Sequence, residues 1–175
     1  LMFGAKKDEK MSMEEIEEYK NKYFEWIKSI KATNFTFVEL DVQKVYSPEL
    51  AWRYRKEMKK RLGDKDIMNV YHLEDGNPDE LIRYSDYIAV GMPELKSCAP
   101  KQLKYILNYI INTAKKKGKR VHILGMSGKT YMSKYKYADT CDSTNWTWYT
   151  RSTNYKKQLL NEYGIFDREH KSRAL

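Results

Sequence analysis

The sequence predicts an α/β domain built from parallel strands, with five βα units. Short apolar segments rich in β-forming residues alternate with longer segments whose apolar residues recur at helical spacing. This alternation is typical of parallel strands joined by right-handed crossovers. No linker rich in Gly, Pro or Ser divides the chain, so we expect one domain over residues 1–175, with a charged, frayed tail at 165–175.

Five segments have the composition of strands. They are Phe35–Asp41, Ile67–Leu73, Asp86–Met92, Val121–Leu124 and Tyr137–Asp142. The first four are dominated by apolar and β-branched residues, and turn residues or charges bound them. The fifth carries a carboxylate into the segment Ser143–Trp146.

Helix signals occupy the intervening segments. Ser12 and Glu15 form a capping box before a helix over Met13–Ile30. Pro48 suits the first turn of a helix that runs to about Leu62 and ends at Gly63. Further helices are predicted near Tyr84, over Lys101–Lys117, after Gly125 and over Thr153–Tyr163. The second helix is expected to present a basic, solvated face of Arg53, Arg55, Lys56, Lys59, Lys60 and Arg61.

Charge favours a polyanionic partner. Lys and Arg number 33 against 24 Asp and Glu, which gives a net charge of +9. Clustered cations release counterions from phosphate backbones, and 15 tyrosines could stack on bases, although tyrosines also pack half-buried along helices. We therefore predict nucleic acid as a partner. The candidate contacts are Lys129, Lys134, Trp146 and Arg151.

Several other classes of protein are disfavoured. No apolar run approaches the roughly 20 residues that a membrane span needs, and no signal peptide is visible, so we expect no membrane partner and a cytoplasmic location. Cys98 and Cys141 are too far apart for a CxxC motif, and no HExxH or Cys/His cluster occurs, so neither a metal nor a cofactor is predicted. The Gly128-Lys129-Thr130 sequence lacks the glycine that a phosphate-binding P-loop requires at position 123, which is Ile123.

Chemically useful residues follow the predicted strands. In a parallel sheet the strands end at one edge, called here the carboxyl edge, and working residues gather there. The residues predicted at this edge are Asp41, His72, Gly91, Gly125 and Asp142. Glycines let a flat ring approach the backbone, one carboxylate could accept from ring N–H and amino groups, and the other could act as a nucleophile. Each also has a structural interpretation, as a helix cap, a core histidine, a turn glycine or a lysine partner.

The ordered segments FVELD, IMNVYHL, DYIAVGM, RVHILGM and ADTCDSTNW resemble the later strands of the tRNA-guanine transglycosylase (queuine tRNA-ribosyltransferase) superfamily. The resemblance covers roughly residues 12–150, and RVHILGM with the Asp139–Trp146 segment is its most specific part. It is nearest to phage and bacterial relatives that act on nucleic acid with 7-deazaguanine bases. A phage-encoded protein in a host cytoplasm would fit this resemblance.

The resemblance implies a TIM barrel, partial or complete, and a base exchange in tRNA or DNA. An aspartate attacks the ribose C1′ of a guanosine, guanine leaves, and a deazaguanine captures the glycosyl–enzyme intermediate. By motif position the nucleophile is Asp142. The implied substrate-binding residues are Asp41, His72, Gly91, Met92, Gly125, Asp139 and Ser143.

Two alternatives remain beside this enzyme. A full barrel takes about 250 residues, and the family's second catalytic aspartate and zinc cluster have no counterpart in the sequence. The chain could therefore be a fragment, the C-terminal five-eighths of such a barrel. It could also be a non-catalytic nucleic-acid-binding module, or a half-barrel that a partner chain or a second copy completes. It could instead be an unrelated doubly wound α/β protein with a small-molecule site.

Overall fold

The computed structural model describes residues 11–126 and 128–143. The strands are β1 (Thr36–Val38), β2 (Asp66–Tyr71), β3 (Tyr87–Gly91), β4 (Arg120–Leu124) and β5 (Thr140–Cys141). The helices are α1 (Met13–Ser29), α2 (Pro48–Arg61), α3 (Asp79–Tyr84), α4 (Met92–Cys98), α5 (Leu103–Lys116) and α6 (Lys129–Lys134), and a 3₁₀ turn spans Leu73–Asp75. The predicted helix at Thr153–Tyr163 and the tail lie outside the described residues.

The five strands form one parallel sheet in the order β1-β2-β3-β4-β5, curled into a half-barrel. The prediction of five parallel strands is therefore confirmed. A doubly wound sheet reverses its strand order at a switch point, and the described strands do not, so that alternative was wrong. Two strands are shorter than predicted, since β1 ends at Val38 and β5 at Cys141.

The helices cover the convex face of this sheet. Ile88, Val90, Val121 and Ile123 alternate along β3 and β4 and pack with α5 in the largest core cluster. Phe37 of β1 packs instead between α1 and α2. The opposite, concave face carries a smaller apolar cluster that includes Met68, Val70 and Ala89. Alternate residues of each strand therefore face the interior of the half-barrel.

Helix ends follow the predicted signals closely. Ser12 and Glu15 make the reciprocal capping-box bonds at the start of α1, and Ser47 accepts from the backbone of Leu50 at the start of α2. The exception is α4, which begins directly after β3 in a segment for which no helix is predicted from the sequence. Pro93 in its first turn is compatible with a helix start. No helix of the described residues is long and apolar enough to cross a membrane.

Candidate active site

The predicted residues do gather at the carboxyl edge. Asp41 follows β1, His72 follows β2, Gly91 ends β3, Gly125 follows β4 and Asp142 follows β5. Because all five strands are parallel, these positions share one edge of the sheet. Sequence reasoning alone therefore places the five residues at the correct edge.

His72 lies between two carboxylates. Its Nδ1 is 2.8 Å from Oε2 of Glu94, and its Nε2 is 3.2 Å from Oδ1 of Asp41. The second contact has the distance of an ion pair, but Nε2 makes no well-aligned hydrogen bond with a described residue. Glu94 also accepts from the backbone N–H of Leu73 at 3.1 Å and pairs with Lys44 at 3.1 Å.

Sequence reasoning missed Glu94. It lies in the first turn of α4, where the helix dipole favours an acid. A Pro-Glu pair just after a strand is an available signal for this position, but the helix itself is not among the predicted elements. Glu94 joins the edge group because α4 starts directly at the end of β3.

Opposite charges dominate the titration of this cluster. Burial alone would lower the pKa of His72, but the close contact with the Asp41 carboxylate and the hydrogen-bonded carboxylate of Glu94 outweigh burial and raise that pKa above its ordinary value. Burial alone would raise the pKa values of Asp41 and Glu94. The contacts with His72, together with the Leu73 N–H and Lys44 at Glu94, outweigh it and lower both pKa values.

A pH dependence of stability follows from these directions. Stabilisation by the charged imidazole is complete below its ordinary pKa of 6.5 and is lost as the pH rises through the raised value. Stabilisation by Asp41 and Glu94 is present above their ordinary values of 3.8 and 4.5 and is lost as the pH falls through the lowered ones. We therefore expect this cluster to contribute most between about pH 4.5 and about pH 6.5.

Urea unfolding of the wild type and His72→Asn over a pH series measures this contribution. The stability difference between the two proteins should shrink as the pH rises above the ordinary histidine value. In Asp41→Asn, the pKa of His72 followed by NMR should fall. A stability difference that stays constant across the series would contradict the assignment.

Asp142 is held at the same edge and remains accessible. Its side chain is 57% exposed. The backbone N–H of Gly125 donates to its Oδ1 at 2.8 Å, and Nε2 of His122 lies 3.4 Å from the same oxygen. The carboxylate is thus oriented by one short bond and is not sealed beneath the core.

Gly125 is required for this arrangement. Its φ is +66°, in the left-handed region that favours glycine. A β-carbon at this position would lie 2.7 Å and 2.8 Å from the Cγ and Cδ atoms of Pro93. The close contact joins the end of β4 to the start of α4. Gly125, which bonds Asp142, therefore packs beside the helix turn that carries Glu94.

Gly125→Ala is expected to lower the free energy of unfolding by about 2–5 kcal/mol, the sum of about 1–2 for left-handed backbone and about 1–3 for overpacking. Gly118→Ala is the matched control. Gly118 has a φ of +68°, but no described atom lies within 4 Å of the point that a β-carbon would occupy there. Its substitution should therefore cost only the backbone part. If urea unfolding shows the same loss of unfolding free energy for Gly125→Ala and Gly118→Ala, Pro93 moves aside without cost and the contact does not require a glycine.

A polar network on the concave face supports Asp142 and was not predicted. The Tyr87 hydroxyl lies 2.5 Å from Thr140 Oγ1, and this oxygen lies 2.6 Å from Nδ1 of His122. The other ring nitrogen of His122 faces Asp142. Period-two alternation along β4 indicates that His122 shares a face with Leu124, but only the sheet register brings Thr140 beside it.

A buried arginine fixes the turn that carries His72. Arg55 is 2% exposed and donates to Glu39 at 2.8 and 2.9 Å, to Asp75 at 3.0 and 3.2 Å and to the Val70 carbonyl at 2.9 Å. Asp75 in turn accepts from the backbone N–H of His72 at 3.0 Å. The prediction that Arg55 belongs to a solvated basic face was wrong. An arginine among basic residues gives no sequence signal of burial.

Of three further predicted substrate contacts, two have surroundings that keep them from a ligand at this edge. Asp139 precedes β5, and it pairs with Lys115 at 2.6 Å and accepts from the Val121 N–H at 2.7 Å. It therefore lies at the amino end of the strand, away from the carboxyl edge. The Met92 side chain is fully buried in the core, so the prediction that this side chain contacts a ligand was wrong. Ser143 is partly buried and directly follows Asp142.

The predicted nucleic-acid contacts are only partly described. Lys129 is the first residue of α6. Lys134 is the last, and its ammonium lies 5.6 Å from the ring centroid of Tyr135. Trp146 and Arg151 lie outside the described residues.

One group of side chains has the composition of a metal site. Ligand atoms of His72, Glu74 and Glu94 lie within 4.8 Å of one another. However, the Lys44 ammonium already contacts Glu94, and a metal would also compete with the proton of His72, whose pKa is raised. Two cations, Lys44 and the His72 imidazolium, therefore already contact Glu94 in this group.

Comparisons with protein-family models, with curated proteins and with solved structures found no match for this chain. The inference about function depends on the residues of the carboxyl edge.

Proposed function

We propose that this protein exchanges a purine base in nucleic acid, replacing guanine with a 7-deazaguanine through a covalent bond between Asp142 and the ribose. The observation that carries the proposal is the placement of two accessible carboxylates, Asp41 and Asp142, at one edge of a parallel sheet, with side chains 40% and 57% exposed. The resemblance to tRNA-guanine transglycosylases suggests the reaction, and the edge supplies groups suited to it.

The surroundings of Asp142 suit a nucleophile. Among the described residues, both contacts of its carboxylate are with Oδ1, from Gly125 and His122. Oδ2 is therefore assigned as the attacking atom. A carboxylate held at one oxygen keeps the other in a defined position, which favours attack along a fixed direction.

The reaction balances in two steps. Oδ2 of Asp142 bonds to C1′ of the guanosine, the bond from C1′ to N9 breaks, and guanine leaves with the electron pair and takes up a proton. The incoming base then bonds to C1′ through its own ring nitrogen and loses a proton, while the ester bond breaks and restores the carboxylate. Covalent catalysis of this kind divides one difficult displacement into two easier ones.

Base recognition is assigned to the other side of the edge. The lowered pKa of Asp41 keeps it ionised, so it can accept from the N–H and amino groups of a guanine-like ring. His72 is 5% exposed, and its Nε2 lies 3.2 Å from Oδ1 of Asp41, which holds this carboxylate in place. The resemblance assigns Gly91 and Gly125 to the path of a flat ring, although at Gly125 the position that a β-carbon would occupy is already filled by Pro93.

Basic and aromatic side chains on α4, on α6 and in the segment after α6 suit the polymer. The Lys96 ammonium lies 4.5 Å from the Tyr131 ring centroid, and that of Lys136 lies 5.4 Å from the ring of Tyr137, whose exposure is 66%. Lys96 and Tyr131 are on α4 and α6, the helices that follow β3 and β4, whereas Lys136 and Tyr137 precede β5 on its amino side. Cations beside exposed rings suit phosphates and unstacked bases, and a base must leave its stack to react.

The half-barrel is assigned as part of a TIM-like barrel. In the described sheet β1 and β5 each have one strand neighbour. Further strands, from another part of a longer chain, from a partner chain or from a second copy, would close the barrel. The second candidate function is a nucleic-acid-binding half-barrel without catalysis, which the net charge of +9 favours.

Labelled guanine or 7-deazaguanine, incubated with the protein and guanine-containing tRNA or DNA, tests the proposal. We expect label to enter the polymer, and a covalent protein–polymer adduct to survive denaturation. Salt-dependent binding without incorporation would favour the binding half-barrel. Absence of both binding and incorporation at low salt would overturn both functions.

A further inference from the structure

We propose that Tyr87, Thr140 and His122 form a hydrogen-bond relay that fixes one tautomer of His122 and turns an N–H donor toward Asp142, which makes His122 a positioning residue for the nucleophile. The positioning role of His122 rests on the proposed function. The directions of the hydrogen bonds do not, and they can be tested without any reaction.

The sheet register assembles the relay. His122 is directly paired with Thr140 across β4 and β5, and Tyr87 starts β3, the strand on the other side of β4. All three side chains lie on the concave face, where Tyr87 is 6% exposed and the His122 side chain 12%. The Tyr87 and His122 rings meet edge to face, with centroids 6.5 Å apart. The relay is thus buried at Tyr87 and mostly buried at His122, whereas Thr140 between them is exposed.

The directions of the hydrogen bonds follow from counting protons. Each hydroxyl has one proton to donate. If Tyr87 donates to Thr140 and Thr140 donates to Nδ1 of His122, both hydroxyl protons are used and Nδ1 is an acceptor. The neutral ring then carries its proton on Nε2, which faces Oδ1 of Asp142.

The opposite direction fails at both ends. If Nδ1 of His122 donated to Thr140 and Thr140 donated to Tyr87, the Tyr87 proton would need another acceptor, and none bonds this hydroxyl among the described residues. The unprotonated Nε2 would then present its lone pair to an anionic carboxylate. Repulsion between this lone pair and the carboxylate oxygen disfavours the second direction, and the first direction gives both hydroxyl protons an acceptor, so the first direction is favoured.

The relay explains how Asp142 is held at one oxygen. The contact of 3.4 Å between Nε2 and Oδ1 is longer than an ordinary N–H···O bond. Catalytic hydrogen bonds are often long without substrate and shorten in the complex. Together with the Gly125 N–H, His122 therefore orients the carboxylate and leaves Oδ2 for attack.

NMR of protein labelled with ¹⁵N at histidine measures the tautomer directly. The chain has three histidines, so His122→Gln identifies the signals of His122. In the wild type at neutral or higher pH, we expect the pattern of an Nε2–H ring. Thr140→Val removes the hydroxyl at similar volume and should give a mixture of tautomers. Thr140→Ser keeps the hydroxyl and should restore the wild-type pattern.

Two outcomes would overturn the relay. One is an Nδ1–H pattern in the wild type, and the other is an unchanged pattern in Thr140→Val with a folded spectrum. Tyr87→Phe supplies an independent variant, since it removes only the first donor and should weaken the preference for Nε2–H.

The exchange assay tests the positioning role. His122→Ala should slow adduct formation about 100-fold, because a small misplacement of a reacting group costs about this factor. His122→Gln offers an amide donor in place of the ring N–H and should recover part of the rate. Wild-type exchange that is unchanged in His122→Ala would refute the role, whereas a wild type without any exchange would refute the proposed function and leave the NMR result to decide the relay.

Discussion

Asp142→Asn is expected to lower the rate of base exchange about 1,000-fold or more, because an amide is uncharged and a poor nucleophile at carbon. Its retained oxygen can still accept from the Gly125 N–H, and the side chain is 57% exposed, so the fold should be unaffected. Incorporation of labelled base into tRNA and DNA measures the rate, and mass spectrometry of the denatured protein detects the adduct. The adduct should be absent from Asp142→Asn.

Asp86→Asn is the matched control for this variant. Asp86 is a similarly accessible carboxylate, with a side chain 78% exposed, but it precedes β3 at the opposite edge of the sheet. It should exchange bases at the wild-type rate. Exchange and adduct formation that persist in Asp142→Asn would remove this residue as the nucleophile, and a Glu or Asp elsewhere would then have to carry the bond.

Arg55→Met is expected to lower the free energy of unfolding by about 3–5 kcal/mol, the usual result of leaving a buried charge without its partner. At about 2–4 °C per kcal/mol for a chain of this size, the melting temperature should fall by about 6–20 °C. The cause is that Glu39 and Asp75, whose side chains are each 2% exposed, would lose the guanidinium that pairs with both.

Arg53→Met separates burial from charge. Arg53 is two residues away on α2, its side chain is 56% exposed, and it pairs with Glu17. Exposed pairs contribute about 0–1 kcal/mol, so this variant should melt close to the wild type. Adding Glu39→Gln to Arg55→Met should recover part of the loss, because one of the unpaired charges is then gone. Equal melting of the two single variants would show that the buried network contributes little.

Local sequence patterns were sufficient to predict the architecture. Ser12 with Glu15, Pro48 before an amphipathic segment and the alternation of strand and helix signals each act over a few residues, and the structure places the corresponding elements within a few positions. The parallel sheet then follows from the alternation. The same reasoning placed Asp41, His72 and Asp142 at one edge, because the ends of parallel strands meet.

Contacts between distant segments could not be predicted in this way. Arg55 looks like its exposed neighbours in the sequence, yet packing of α2 on β1 and β2 buries it against Glu39. Asp139 and Asp142 are three residues apart and look equivalent in the sequence, but β5 separates them to opposite edges.

By itself, the sequence determined the order of strands and helices, the parallel sheet and the edge on which polar groups meet, since these depend on local periodicity and chain direction. Only the tertiary structure decided that Glu94 pairs with His72, that Thr140 lies beside His122 and that Pro93 requires a glycine at position 125. These contacts join residues from different βα units. They depend on sheet register and helix packing. Both are set by the burial of apolar side chains across the whole core, and they cannot be predicted from a short segment of sequence.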